Sequence, residues 1–571
     1  MTGVAEQAGS ATSGQGGTRP WIAHYPAGVP AEIDPARVTT LADMIRQSCR
    51  QNAEKPAFIS FGKAVTYAEL AQAADKVTAW LQSRGLRKGD RVAIMMPNVL
   101  AYPAVMFGIL MGGYTVVNVN PLYTARELTH QLNDSGAKAL FVLENFAHVV
   151  AEALPKLSLQ AVVLTTPGDL MGLKGHIVNF VSRHVKKAVK PYDLPAAIAM
   201  GDVLATQARP APVEVGLDDI AYLQYTGGTT GVSKGAVLTH RNVASNVVQA
   251  ETWFGPMITT LKEQPVMVTA LPLYHIFALT CCCLFMVRIG AACLLIANPR
   301  DIPGFIKILK GSRFHMMSGV NTLYNALANN PDIRSVDFSR LLLSISGGMA
   351  TQAAVAKKWK DITGRAIIEG YGLSETAPVV SGNRPDLAEF SGTIGYPMPS
   401  TDIVIRDEAG QDVPTGEPGE LCVRGPQVMP GYWQRPDETA KVMTADGYFR
   451  TGDIAVLQAD GQVKIVDRMK DMILVSGFNV YPNEVEDVIA THPGVVESAV
   501  VGQPDPHSGE SVVAYVVRKD MSLTADALRD FCRTSLTAYK VPRTIIFREE
   551  LPKTNVGKVL RRALRDETAA G

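Results

Sequence analysis

The sequence predicts an α/β protein: a large N-terminal domain of layered α/β subdomains carrying a small β-barrel-like subdomain, then a smaller, mobile α+β domain. Three observations carry this. Short β-rich runs alternate with helix-period stretches over residues 38–500. From Gly392 to Asp467 the pattern changes to short strands bounded by Gly, Pro and Asp turn residues. After the charged run Asp467–Lys470 a fresh set of helices and strands begins. The 571 residues exceed one ordinary core, as two domains require.

Taken in order, residues 1–18 are mostly Gly, Ser, Thr, Ala and Gln and read as a disordered tail, with no apolar stretch of the kind a secretory signal needs. The N-terminal domain is expected over residues 19–467. Within it, Arg91–Met96, Thr115–Val119 and Ala139–Leu143 read as strands, and Val99–Met111 and Arg126–Ser135 as the helices between them. A second α/β unit runs from Ile220 to about Asn383, with a turn and then a helix starting near Thr239. The C-terminal domain is expected over 468–571, hinged near 467–470. It contains a helix at Asn483–His492, strands at Val495–Val501 and Ser511–Arg518, a helix capped by Thr524, and a strand at Arg543–Arg548.

Composition excludes several classes. A formal net charge of +1 leaves no electrostatic footprint for nucleic acid. Seven cysteines, three of them consecutive at Cys281–Cys283, lack metal-ligand spacing and suggest reduced thiols in a cytoplasmic protein. The uncharged stretches Val92–Ala125 and Gln264–Val287 are broken by Pro and Gly, so buried core is expected there and not a membrane span.

The chemistry-bearing signal is YTGGTTGVSKGA, Tyr225–Ala236. Small residues allow backbone N–H groups to approach a polyphosphate. Thr226, Thr229, Thr230 and Ser233 add hydroxyls among Gly227, Gly228 and Gly231, and Lys234 adds a mobile charge. The spacing is not that of a Walker A loop. In EGYGLSET, Gly370 and Gly372 flank Tyr371, which suits a face for a purine. There Glu375 offers a hard ligand for Mg²⁺, with Thr226 as its companion, and Thr376 a hydroxyl for phosphate. RTGDI sets Asp453 where both ribose hydroxyls could be bound; on its own it is an ordinary turn. SISGGMA ends a strand in glycines, among them Gly348, and LPLYHIFAL supplies Tyr274, His275 and Phe277. With Met316, Met317 and Val320 these are the apolar pocket walls that the residues suggest. Arg468 and Lys470 lie at the interdomain run, and Lys558 on a Gly-containing turn near the C-terminus.

In this order the segments resemble the adenylate-forming superfamily of acyl-CoA synthetases, luciferases and peptide-synthetase adenylation domains, and more closely its bacterial long-chain fatty-acid–CoA ligases. VNVNPLYTARELTHQLNDSGAKA and KDMILVSGFNVYPNEVEDVI carry that closer likeness, which extends over nearly everything from Trp21 onward. The resemblance implies ATP, Mg²⁺ and coenzyme A as reactants and cofactor. A fatty acid and ATP give acyl-AMP and pyrophosphate, and coenzyme A then displaces AMP. It implies catalytic roles for Lys558, Glu375, Thr229 and Lys234, adenine stacking on Tyr371, ribose binding by Asp453, contact of Arg468 with ribose or phosphate, and a pivot at Lys470. Rotation about that pivot would present Ser476, Gly477 and Phe478 for thioester formation. Lys470 stands where many relatives carry aspartate, Leu474 where some carry lysine, and Ser374 where threonine is commoner. The alternatives are a fatty-acyl-AMP ligase, or a synthetase for medium-chain or aryl acids.

One segment falls outside these motifs. IVNFVSRHVKKAVK, Ile177–Lys190, reads as an amphipathic helix with Ile177, Val181, Val185 and Ala188 on one face and Arg183, Lys186, Lys187 and Lys190 on the other. Its composition suits peripheral contact with the inner face of the cytoplasmic membrane, or a surface helix packed on the core.

Overall fold

Uncharged, β-branched runs such as Ala139–Leu143, buried at every position, build two parallel sheets that are covered on both faces. The structure, a computed structural model, describes residues 19–226, 233–554 and 557–570. Across the first sheet the strands run Ile198–Ala199, Ala161–Thr165, Ala139–Leu143, Arg91–Met95, Thr115–Asn118, Ile220–Thr226 and Lys234–Thr239. All are parallel to their neighbours except the last. The turn expected before Thr239 is therefore a strand, Lys234–Thr239, which folds back on Ile220–Thr226. Thr239 then caps the helix His240–Ile258 through a reciprocal bond with Asn242.

The second sheet has nine strands, ordered Tyr396–Pro397, Val379–Gly382, Ile367–Gly372, Leu343–Gly347, Met316–Gly319, Val266–Thr269, Ala292–Leu295, Pro56–Ser60 and Lys63–Thr66. Its six middle strands are parallel and its margins antiparallel. Helices fill the space between the two sheets. Ala101–Met111 is buried all round and so has no polar face. Tyr102 on it donates to Asn118 Oδ1 in the first sheet (2.6 Å) and to the Leu273 carbonyl beyond the second (2.9 Å), tying the layers together.

The strands Asp402–Arg406, Pro418–Arg424, Phe449–Leu457 and Val463–Arg468 pair antiparallel in chain order. They form an open four-stranded sheet where the sequence suggested a barrel-like unit. Beyond Arg468 comes a sheet of Phe478–Val480, Ile473–Val475, Gly509–Arg518 and Val495–Asp505, with Thr544–Arg548 parallel to Gly509–Arg518. Pro482–Ala490 and Ala525–Arg533 close one core on this sheet, and Leu564 from Arg561–Ala570 closes another. Among the described residues no helix is long and apolar enough to cross a membrane. The helix expected over Ile177–Lys190 is shorter and starts earlier. It spans Leu173–Phe180, continues as a π-turn through Val185, and stops where Lys187 takes a left-handed φ of 48°.

Candidate active site

The parallel strand Ile367–Gly372 delivers Gly370, Tyr371 and Gly372 to the carboxyl edge of the second sheet, where ligands of α/β folds gather. Gly372 has no alternative there, because a Cβ would lie 1.9 Å from the Pro378 carbonyl. Tyr371 donates to Asp453 Oδ2 at 2.5 Å. Asp453 sits on Phe449–Leu457 directly opposite Arg468 on Val463–Arg468, with Arg468 Nε 3.4 Å from Oδ1. Burial raises the Asp453 carboxyl and the guanidinium works against that shift.

Glu375 lies on the turn Ser374–Thr376, which packs against Ile220–Thr226 and Lys234–Thr239. Its carboxyl is buried and pushed up by burial, while Tyr432 donates to Oε1 at 2.8 Å. Among the described residues no hydrogen bond reaches Oε2, which leaves an oxygen for a hard cation, and Thr226 lines the same cavity. Thr376 is placed otherwise than the sequence suggested. Its side chain is fully buried and its hydroxyl bonds the Leu373 and Pro378 carbonyls, so it shapes the turn and does not reach the cavity. Ser233 donates to the Thr226 carbonyl at 2.6 Å. Lys234 pairs with Glu438, with its ammonium 5.4 Å from the Tyr432 ring centre. Gly227, Gly228, Thr229, Thr230 and Gly231 lie outside the described residues.

Lys558 comes from the C-terminal domain. Thr322 Oγ1 donates to the Gly557 carbonyl at 2.9 Å, and the lysine stem passes over Gly348, where a Cβ would stand 3.3 Å from Lys558 Cε. Burial, with Arg468 and Lys470 adding repulsion, lowers the Lys558 ammonium to about 8, and Asp453 opposes this. Lys470 is also lowered to about 8 by burial and by Arg468.

These groups line part of a cavity of about 1930 Å³, about twice the upper range of ordinary ligand pockets. The same cavity carries an apolar set of side chains on its wall, alongside further polar and charged groups from both domains. Tyr274, Phe277 and Met316 stand on it as expected from sequence, joined by Ala250 and Phe254 of the helix His240–Ile258, Phe285 and Met398. His275 is on the wall as a neutral ring, held near 3 by burial and by Lys558. Val320 and Met317 are buried but not on the wall; Val320 packs beside Gly557. Ser476 and Gly477, both at positive φ, form the tip of the hairpin Ile473–Val480. Exposed Phe478 follows and stacks on Tyr539 at 5.0 Å; all three lie away from the cavity.

At the hinge, Arg561 holds Glu486 through bonds of 2.8 Å and stands 3.6 Å from Asp471 and 3.8 Å from Asp467. Burial lifts Asp467 to about 6, and the Asn483 amide donates to it at 2.8 Å. Neither this network nor the Tyr432–Glu375 bond is marked by a motif in the sequence.

The match to known proteins agrees with this geometry. Residues 45–433 match the AMP-binding enzyme family, and residues 484–558 match the AMP-binding enzyme C-terminal domain. The chain belongs to the AMP-binding enzyme family. Among members of that family it is similar to the long-chain-fatty-acid--CoA ligase of Escherichia coli O6:H1, with 54% identity over 96% of this chain and 98% of that protein. The ligase of the same name from Haemophilus influenzae is 48% identical over 96% and 98%. Of solved structures, ATP-bound MatB from Rhodopseudomonas palustris superposes with a TM-score of 0.79 at 28% identity, covering 93% of this chain and 99% of that one. In this AMP-binding enzyme the two family segments meet at the cavity, since its walls include both Tyr371 and Lys558.

Proposed function

We propose that this chain is an ATP-dependent long-chain fatty-acid–CoA ligase, which makes acyl-AMP and pyrophosphate and then acyl-CoA and AMP. The observation that carries the reading is the lining of the cavity. One wall brings together Tyr371, Asp453, Arg468 and Lys558 with the apolar side chains of Ala250, Phe254 and Phe285. The first set suits a nucleotide and the second a hydrocarbon, with the carboxylate held between them near Gly348.

In this reading Asp453 and Arg468 hold the ribose, and Tyr371 lies along the base. Attack of the carboxylate on the α-phosphorus builds negative charge, and Lys558 and Lys234 are the cations placed to meet it. The phosphate loop Gly227–Gly231, with Thr229 and Thr230, is assigned its contacts by the family pattern alone. Thr226 and Glu375 would hold Mg²⁺; a divalent ion there supplies charge neutralisation of the phosphates. Lys470 serves as pivot, and turning the C-terminal domain brings the Ser476–Phe478 tip in place of Lys558.

Incubation with ATP, Mg²⁺ and a saturated fatty-acid series, with and without coenzyme A, tests the proposal. AMP, pyrophosphate and acyl-CoA are expected, with rates rising toward long chains. Acyl-AMP accumulating regardless of coenzyme A would move the assignment to an adenylate-only ligase, and ADP would overturn it. The similar feruloyl-CoA synthase of an Amycolatopsis species, 37% identical over 88% of this chain, makes aryl acids the comparison series.

A further inference from the structure

The segment Leu173–Lys190 is folded inside out. A surface helix ordinarily turns its apolar stripe toward the core. Here Gly175 is pressed so tightly on Gly168 that a Cβ would stand 2.1 Å from the Gly168 carbonyl oxygen. Asn179, one turn on, accepts from the Gly168 amide at 2.8 Å and donates to Thr166 Oγ1 at 2.9 Å. Ser182, a further turn along, is buried. The small and polar face is thus bound to the protein, and Leu173, Ile177 and Phe180, at helical spacing on the opposite face, are 86%, 66% and 60% exposed. Val185 and Tyr192 extend the exposed set, so five of the fourteen exposed large hydrophobic side chains among the described residues fall within twenty positions.

A second element borders this face. The hairpin Pro56–Thr66 turns at Phe61 and Gly62, both at positive φ, and Phe61 is itself exposed. The Lys174 ammonium lies 3.2 Å from where a Gly62 side chain would start, so the aromatic tip and the helix are neighbours. Along the segment itself the charges have one sign. Residues 173–190 contain Lys174, Arg183, Lys186, Lys187 and Lys190 and no Asp or Glu. Arg183 is anchored on buried Glu144, whereas the four lysines have no ion pair among the described residues.

From this juxtaposition we infer that Phe61, Leu173, Ile177 and Phe180, ringed by Lys174, Lys186, Lys187 and Lys190, form a docking face for an anionic lipid bilayer. Contiguous exposed apolar surface marks an interaction site. An apolar insertion edge with flanking lysines is complementary to acyl chains beneath acidic headgroups. The docking face stands independently of the ligase reading; only its use, collecting fatty acid from the leaflet, rests on that reading.

The test is co-sedimentation of the full chain with vesicles of phosphatidylcholine alone and of phosphatidylcholine mixed with phosphatidylglycerol. The chain is expected to sediment with the mixed vesicles, to bind the neutral ones at least about tenfold more weakly, and to release as salt is raised. Leu173→Glu/Phe180→Glu and Lys186→Glu/Lys187→Glu/Lys190→Glu should each weaken binding at least about tenfold. Met521→Glu, at an exposed site elsewhere, should leave it unchanged. Acyl-CoA formation from water-soluble octanoate is the folding control, because none of these residues lines the cavity. Wild-type protein that stays in the supernatant, or variants that bind as it does, would overturn the proposal while the octanoate activity keeps the ligase reading separate. Loss of a dimer in the Leu173→Glu/Phe180→Glu variant with vesicle binding intact would also overturn it, in favour of a contact between copies of the chain.

Discussion

Replacing Lys558 with alanine isolates what one ammonium contributes to adenylation. Its proton is lost near 8 instead of 10.5 because the side chain is drawn out of water and sits beside Arg468 and Lys470. That displacement corresponds to about 3 kcal/mol of cost in holding the charged form here relative to water. Negative charge building on the transferring phosphate is met by this partly desolvated ammonium, where the attraction is stronger than in water. About 3 kcal/mol is roughly 10²-fold in rate, in the range seen when one preorganised donor is removed from a site of developing negative charge. Pyrophosphate exchange into ATP should therefore fall about 10²-fold in Lys558→Ala. Thioester formation from synthetic acyl-adenylate should stay within about threefold of wild type, because the proposed swing about Lys470 withdraws the lysine in that half-reaction. An equal loss in both half-reactions would refute the reasoning, and so would unimpaired exchange.

Three further outcomes are expected. Since the Lys558 proton is lost near 8, below the ordinary lysine range, the charged form dominates below that pH; pyrophosphate exchange should fall as pH rises through about 8, measured from about pH 6 to about pH 10. Tyr432→Phe removes the 2.8 Å bond to buried Glu375 and should raise its carboxyl further, costing about 1.5–3 kcal/mol; the KM for Mg-ATP should rise about tenfold or more with little change in thermal midpoint. Ala250→Phe fills the apolar part of the cavity from the helix His240–Ile258; if four carbons are excluded at about 0.8 kcal/mol per methylene, kcat/KM for the longest chains should drop about 200-fold while octanoate is spared.

What the sequence revealed of the site depended on whether a residue's work is local. Tyr371 between two glycines, Asp453 in its turn and Lys558 beside Gly557 carry their neighbours in the string, and the fold brings all three to one cavity. Thr376 belongs to the same motif, yet a hydroxyl can serve a ligand or a carbonyl equally well, and the tight turn at Pro378 takes it. Ala250, Phe254 and Met398 were illegible because an apolar residue on a buried helix looks the same whether it faces packing atoms or open space. For the fold, the alternation of Arg91–Met95, Ala101–Met111 and Thr115–Asn118 was readable from periodicity. The joining of Pro56–Thr66 to a sheet whose other strands lie some two hundred residues onward was not, since strand order is set by contacts that leave no local trace. The segment Ile177–Lys190 is the instructive difference. Its periodicity set Ile177, Val181, Val185 and Ala188 on one face, whereas the helix starts at Leu173 and turns Gly175, Asn179 and Ser182 inward, because close backbone packing and side-chain hydrogen bonds leave no periodic apolar trace.

The hinge network bears on how readily the C-terminal domain can turn. If Lys470 is the pivot, Arg561, Glu486, Asp471 and Asn483 all lie on the travelling side, so the buried guanidinium keeps its two-pronged partner Glu486 throughout the swing. What stays behind is Asp467, which gives up the Asn483 amide and a distant arginine, and whose carboxyl near 6 is already inclined to take a proton once abandoned. On that pivot, the contacts across the joint among the described residues that the swing breaks include the two bonds from Asn483 to Asp467 and the Val466 carbonyl, a long ion pair, and the two side-chain-to-carbonyl bonds from Thr322 and Asn325. A joint assembled this way ties the two domains through a few hydrogen bonds and one long ion pair, while the buried guanidinium keeps its carboxylate partner on its own side.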